Sequence, residues 1–122
     1  MEEETSGIRA TYHLTPRSVW NDQAAGPHYR PEAFETDGFI HCTDGEEQLL
    51  SVANAFYLGD PREQIVLVID VARIVADVRC EDPERIYPHI YGPLNVDAVI
   101  ALRAIVRDLG GAYLRVGENL DV

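Results

Sequence analysis

The chain has 122 residues, of which 46% are hydrophobic and 25% charged, the composition of an ordinary globular protein with one domain. Its 21 acidic residues outnumber 10 basic ones, all arginine, and the formal net charge of -11 disfavours nonspecific binding to nucleic acid and to anionic membranes. No apolar run is long enough to span a membrane. We expect an acidic disordered tail over residues 1–9 and a single cytoplasmic domain over residues 10–122.

The domain begins with a predicted strand and a helix. Residues 10–14 alternate between apolar and polar side chains, which is typical of a strand. Thr15 and Pro16 suit the cap and the first position of a helix that carries Trp20 and stops at residues 26–27.

A turn at Asp37–Gly38 leads into a second predicted strand over residues 39–42. Thr43 and Glu46 then match the capping-box pattern that starts a helix. Four apolar residues follow at the spacing of one buried helix face: Leu49, Val52, Ala53 and Phe56.

The second half of the chain is rich in strand signals. Residues 65–69 are apolar without interruption and predict a central strand buried on both faces. Residues 76–80 predict a shorter strand nearer an edge. Residues 85–91 predict another, in which Pro88 requires an edge or a bulge because proline cannot donate a hydrogen bond.

The last segment has two interpretations. Residues 99–106 pair as a hairpin with residues 113–116 across Gly110–Gly111, or they form a helix capped by residues 95–97; the glycine pair favours the hairpin. The chain then has about six or seven strands and two main helices without regular βαβ alternation, which predicts an α+β fold.

Three of the four histidines fall inside predicted strands, namely His13, His41 and His89. Strand alternation places each beside hydroxyl or aromatic groups, such as Thr43 beside His41 and Tyr91 beside His89. Aromatic walls with few hydrogen-bonding groups are typical of a ligand cleft, so the three histidines are candidate catalytic residues. The alternative is that each is a surface or core residue, that Thr43 only caps a helix and that Tyr91 only packs against its neighbours.

Other site chemistries receive less support from the sequence. The histidines lack metal-binding spacing, so we expect no metal, and Cys42 lies in no nucleophile motif. Asn95 follows the Gly92–Pro93 turn and either caps that turn or reaches into the cleft.

Four segments together resemble the DUF952 family of small bacterial proteins of uncharacterised function: "YHLT" at 12–15, "GFIHCT" at 38–43, "VANAFY" at 52–57 and "PHIYGPLN" at 88–95. The resemblance covers roughly residues 11 to 107. It implies the fold of ADP-ribosyltransferases and RNA 2'-phosphotransferases, in which split, twisted β-sheets enclose a cleft, and it implies NAD or a related nucleotide as the ligand.

The same resemblance implies roles for individual residues. His13 would hold the nicotinamide ribose, with His41 and His89 in the same cleft. Tyr91 or Trp20 would stack on the nicotinamide, and Arg17 or Arg30 would neutralise the diphosphate. These four aromatic and basic positions join Thr43 and Asn95 as candidate ligand contacts.

Three functions follow from these observations. The first is an ADP-ribosyltransferase-like transferase or binder of NAD, although Val19 stands where many such enzymes carry a glutamate after an Arg-Ser pair. The second is a histidine acid/base catalyst without NAD, such as a cyclase, isomerase or dehydratase in a biosynthetic pathway. The third is a non-catalytic module that binds a small molecule.

Overall fold

The structure is a computed structural model that describes residues 9–120, so the predicted acidic tail lies almost entirely outside the described residues. Over that range nine strands form three antiparallel sheets of four, two and three strands. The strands are β1 (Ala10–Pro16), β2 (His28–Tyr29), β3 (Ile40–His41), β4 (Gln64–Asp70), β5 (Asp77–Cys80), β6 (Pro88–Tyr91), β7 (Leu94–Asn95), β8 (Val99–Arg107) and β9 (Tyr113–Asn119). The helices are α1 (Arg17–Asn21), α2 (Phe34–Asp37) and α3 (Glu46–Phe56), with short 3-10 turns at 71–73 and 96–98.

The four-stranded sheet has the order β1-β4-β8-β9 and contributes to both hydrophobic clusters of the core. Every residue of β4 is buried, which confirms the central strand predicted from its apolar run. The β8–β9 hairpin is also confirmed. Its turn is closed by Asp108, whose Oδ1 accepts hydrogen bonds from the backbone N–H groups of Gly110 and Ala112.

The three-stranded sheet has the order β3-β6-β5, which confirms β5 at an edge. The sequence predicted an edge or a bulge at Pro88, and the edge was wrong, because β6 is the central strand of this sheet. Pro88 is tolerated there as the first residue, where its carbonyl oxygen accepts a hydrogen bond from the Cys42 N–H. The two-stranded sheet of β2 and β7 was not predicted, and it contains His28, the one histidine that lay outside the predicted strands.

Both predicted helix starts need correction. Thr15 belongs to β1, Pro16 occupies the cap position of α1, and the helix ends after five residues. Gly45, with φ of 91°, precedes α3, and no side chain caps this helix. The backbone of Thr43 instead exchanges hydrogen bonds of 3.0 and 2.8 Å with Tyr12.

The α+β class is confirmed, with α3 as the main helix of the described residues and more strands than expected. Its 11 residues include buried Leu49 and Ala53, which pack on the four-stranded sheet. The buried face of α3 is narrower than the sequence predicted, because Phe56, the last residue of the predicted face, is 76% exposed. Between residues 9 and 120, no helix is long and apolar enough to cross a membrane.

His13 connects the sheets through a buried hydrogen-bond network. Its Nδ1 lies 2.7 Å from the carbonyl oxygen of His41, and its Nε2 lies 2.9 Å from the hydroxyl of Tyr29. That hydroxyl is also hydrogen bonded to Thr15 Oγ1 at 2.8 Å. Burial lowers the pKa of His13 to about 4, so the ring is neutral at neutral pH. The carbonyl can only accept, so Nδ1 carries the proton and Nε2 accepts from Tyr29.

The depressed pKa of His13 predicts a loss of stability in acid. Between pH 6.5 and about 4 the unfolded chain binds a proton at His13 and the folded chain does not, so stability falls as the pH falls through this window. The expected contribution of this residue is a loss of roughly 2–3 kcal/mol between pH 7 and pH 4.5.

Urea unfolding at the two pH values measures this loss. A His13→Gln variant should lose less stability than the unmodified protein on acidification, by about that amount. The control is His28→Gln, a change at an exposed histidine, which should leave the acid-induced loss unchanged. Equal losses in the His13→Gln variant and the unmodified protein would show that His13 is not a buried neutral group.

Candidate functional site

A cleft of about 620 Å³ opens between α2, α3 and the three-stranded sheet. Its wall combines apolar and aromatic side chains with two histidines, one carboxylate and one threonine. The lining residues are Ala33, Asp37, His41, Cys42, Thr43, Val52, Phe56, Tyr57, Tyr87 and His89. A volume of this size is in the usual range for a small-molecule site.

His41 and His89 stand directly opposite each other in the β3–β6 register. Their ring centroids are 5.4 Å apart and the rings are steeply inclined, at 70°. Phe39 stacks on His89 at 4.1 Å and lies 4.6 Å from His41. Strand alternation directs the neighbouring Ile40 into the core, where it is fully buried, and leaves His41 exposed to the cleft.

Asp37 orients the ring of His41. Its Oδ2 lies 2.8 Å from Nε2 of His41, and the two residues are four apart in the chain. Gly38, with φ of 81°, ends α2 and turns the chain so that both side chains meet. A carboxylate can only accept, so Nε2 donates to Asp37 and the neutral ring keeps its lone pair on Nδ1. No described residue is hydrogen bonded to Nδ1, and the His41 side chain is 53% exposed.

His89 has a different environment. Its Nδ1 is buried without a hydrogen-bond partner among the described residues, and the nearest carboxylate oxygen, of Glu81, is 3.8 Å away. The Tyr91 hydroxyl donates to that same Glu81 oxygen at 2.6 Å. Burial, followed by the charge of His41, lowers the pKa of His89. His89 therefore resists protonation, and Nε2 is the ring nitrogen that remains available to a ligand.

His13 is separated from these two rings. It is 5% exposed and borders a small cavity of about 100 Å³ that shares Ala33, His41 and Tyr57 with the cleft. Its hydrogen bond to the His41 carbonyl supports the strand behind the cleft, so the structure brings two of the three predicted histidines together and places the third as a support.

Two of the predicted ligand contacts lie at the cleft or beside it. Thr43 is 4% exposed and lines the cleft. Tyr91 extends the aromatic cluster, 5.2 Å from Phe39, and the guanidinium of Arg79 lies 4.6 Å from its ring centroid.

The other predicted contacts do not line the cleft. Trp20 is 4% exposed and packs in the core, 5.6 Å from Tyr29. Arg17 is paired with Glu63 at 3.0 Å, and Arg30 is exposed, with its backbone bonded to Gln23. The Asn95 amide is bonded to the backbone of residues 73 and 75, which gives it the structural role of holding a turn.

Sequence reasoning missed Asp37, Glu81 and Tyr57 as parts of the site. The spacing of four residues between Asp37 and His41 was a usable signal, because a tight turn can bring such a pair together. Nothing in the local pattern indicated Tyr57, which reaches the cleft only because α3 packs on the sheet.

Cys42 lines the cleft without the properties of a nucleophile. It is 2% exposed, and burial raises the pKa of its thiol. In the part of the chain that the structure describes, no group of three or more histidine, cysteine, aspartate or glutamate side chains is arranged to hold a metal ion.

Comparison with known proteins places the chain in one family. The family model described as "Protein of unknown function (DUF952)" matches residues 14–102. No curated protein matches the chain.

The fold is shared with a solved protein, CC0527 from Caulobacter crescentus. Its crystal structure aligns with a TM-score of 0.74 at 24% identity, covering 87% of this chain and 94% of that chain. A crystal structure of its double mutant gives 0.73 with the same coverage, and its solution NMR structure gives 0.67, covering 89% and 91%. At this identity the likeness supports the fold alone.

The lowered pKa of His89 predicts a measurable titration. Its ring should titrate below the value of about 6.5 for a free imidazole. A His41→Gln change removes a positive neighbour, so it should raise the pKa of His89. NMR titration of the imidazole resonances measures both values, and His28→Gln, on another sheet, serves as the control. The same pKa of His89 in His41→Gln and in the unmodified protein would contradict the coupling of the two rings.

Proposed function

The chain belongs to the DUF952 family, and we propose that it is an acid/base enzyme acting on a small metabolite, with His41 as the general base. The observation that carries this proposal is the 2.8 Å hydrogen bond between Asp37 and His41 in a cleft that also holds His89. Asp37 is the positioning residue, because it acts through His41.

His41 has the features that a general base needs. The carboxylate of Asp37 holds the Nε2–H tautomer, which directs the lone pair of Nδ1 away from that contact. It also stabilises the imidazolium that forms when Nδ1 takes a proton. A histidine base in an enzyme is commonly oriented by a third group in this way, and here that group is a partly exposed carboxylate.

His89 complements His41 as a neutral hydrogen-bonding group. Its lowered pKa keeps it uncharged, so both rings are not protonated together at 5.4 Å. In the tautomer with the proton on Nε2, this neutral imidazole can donate a hydrogen bond to an oxygen on which negative charge develops. The two rings then divide the work of proton removal and charge stabilisation.

The chemistry that follows is a proton transfer within one substrate. His41 Nδ1 removes a proton from a carbon beside a carbonyl, and the electron pair of the broken C–H bond moves into an enolate. In an isomerisation or cyclisation the proton returns to another atom of the same substrate. In a dehydration it leaves with the departing hydroxyl group as water.

NAD is less well supported as the ligand. The two negative charges of its diphosphate require cationic partners, and the described lining of the cleft holds no arginine, while the chain contains no lysine. Arg17, expected to meet the diphosphate, is paired with Glu63. The ADP-ribosyltransferase arrangement and a nucleotide ligand remain hypotheses from the resemblance alone. A non-catalytic module would need the cleft but no oriented base in it.

The basicity of His41 can be tested before a substrate is known. Hydrolysis of p-nitrophenyl acetate, an uncharged activated ester, is accelerated by an accessible neutral imidazole. We expect His41→Gln to lower the protein-dependent rate by at least about tenfold, a conservative threshold beside the roughly 10²–10⁴-fold that a positioned base typically contributes. Asp37→Asn should lower it by less, since the ring remains and only its orientation and charge stabilisation are lost.

His28→Gln is the matched control, since His28 is exposed on another sheet, and it should leave most of the rate unchanged. Circular dichroism checks that each variant is folded. The same ester rate in His41→Gln and in the unmodified protein would contradict the proposal and favour a binding module.

A further inference from the structure

We infer that the cleft accepts an uncharged small molecule with an aromatic or similarly apolar ring, and that Phe56 is the residue that selects it. The chemistry on this ligand rests on the proposed function, whereas its binding does not. Phe56 is the one large apolar side chain of α3 that the fold leaves exposed.

Phe56 is an exposed aromatic residue with a place at the cleft. Leu49 and Ala53 bury the inner side of α3, while Val52 and Phe56, one turn apart, line the cleft. Phe56 remains 76% exposed. A ligand lying against this ring would remove apolar surface from water, which favours binding. The apolar wall formed by Val52 and Phe56 is therefore suited to the ring of a ligand.

Charge argues against an anionic ligand. The described lining holds no arginine, the protein contains no lysine, and the net charge is -11. A phosphate or free carboxylate would meet repulsion without a counter-charge.

Charge also gives little to a cationic ligand. The carboxylate of Asp37 accepts a hydrogen bond from His41, and the carboxylate of Glu81 accepts one from the hydroxyl of Tyr91. Both are therefore committed to side chains of the site itself. An uncharged ligand needs no counter-charge from the lining and meets no charge repulsion in the cleft.

The remaining polar groups fit an uncharged ligand with one or two oxygen atoms. Tyr57, Tyr87 and Thr43 line the cleft beside the two histidines. Hydroxyl and imidazole groups can orient a carbonyl or hydroxyl without a full charge, while the apolar wall receives the ring. Phe56 is a specificity residue in this arrangement and takes no part in the proton transfer.

Binding of prodan, an uncharged naphthalene ketone whose fluorescence shifts in apolar surroundings, tests the inference. We expect saturable binding to the unmodified protein and an affinity about tenfold lower for Phe56→Ser, as for loss of one ring contact. Phe56→Trp should retain the affinity. The matched control is Leu114→Ser, at a leucine that is 51% exposed on β9 and outside the cleft lining, and it should bind as the unmodified protein does.

Competition and a histidine variant separate this inference from the proposed function. ADP-ribose at millimolar concentration should not displace prodan, and His41→Gln should still bind it even where ester hydrolysis is lost. Equal affinity in Phe56→Ser and the unmodified protein would overturn the role of Phe56. Displacement by ADP-ribose would overturn the uncharged ligand class. If prodan binds as expected but His41→Gln keeps its ester rate, the proposed function fails and the ligand class stands.

Discussion

The hydrogen bond from His13 Nδ1 to the carbonyl oxygen of His41 is the interaction on which the site depends. It joins β1 of the four-stranded sheet to β3 of the three-stranded sheet, beside the backbone bridge between Tyr12 and Thr43. Because His41 is paired with His89 across β3 and β6, a fixed His41 backbone also sets the position of the second ring. One buried side chain thus supports both histidines of the cleft without touching a ligand.

The three histidines illustrate how one residue type takes different states in one small domain. Full burial keeps His13 neutral and lets it serve as an ordinary core polar group with both nitrogens satisfied. Asp37 gives His41 a defined tautomer, and partial burial beside His41 keeps His89 uncharged. Environment, more than residue type, therefore assigns the structural role to one and the candidate chemical roles to the other two.

The sequence predicted the elements with strong local signals and failed where distant contacts decide. The apolar run of β4 and the glycine pair of the β8–β9 turn were sufficient evidence for a central strand and a hairpin. Thr43 matched a helix cap, yet its backbone was recruited by Tyr12, a partner 31 residues earlier that no local pattern reveals. The three histidines were recognised as a group, but only the fold separates His13 from the pair. Asp37 was assigned only to the turn at Gly38, and its contact with His41 across that turn was not predicted.

The two walls of the cleft belong to different sheets, and this has a mechanical consequence. Helix α3 is attached to the four-stranded sheet, because the side-chain amide of Asn54 exchanges hydrogen bonds of 2.8 and 3.0 Å with the backbone of Tyr113. His41 and His89 lie on the three-stranded sheet. The distance between Phe56 and the imidazoles therefore depends on how the two sheets are joined. The Tyr12–Thr43 bridge and the hydrogen bond from His13 to the His41 carbonyl are contacts of that junction. A substitution at this junction would therefore be expected to change the fit of a ligand without altering any residue that the ligand touches.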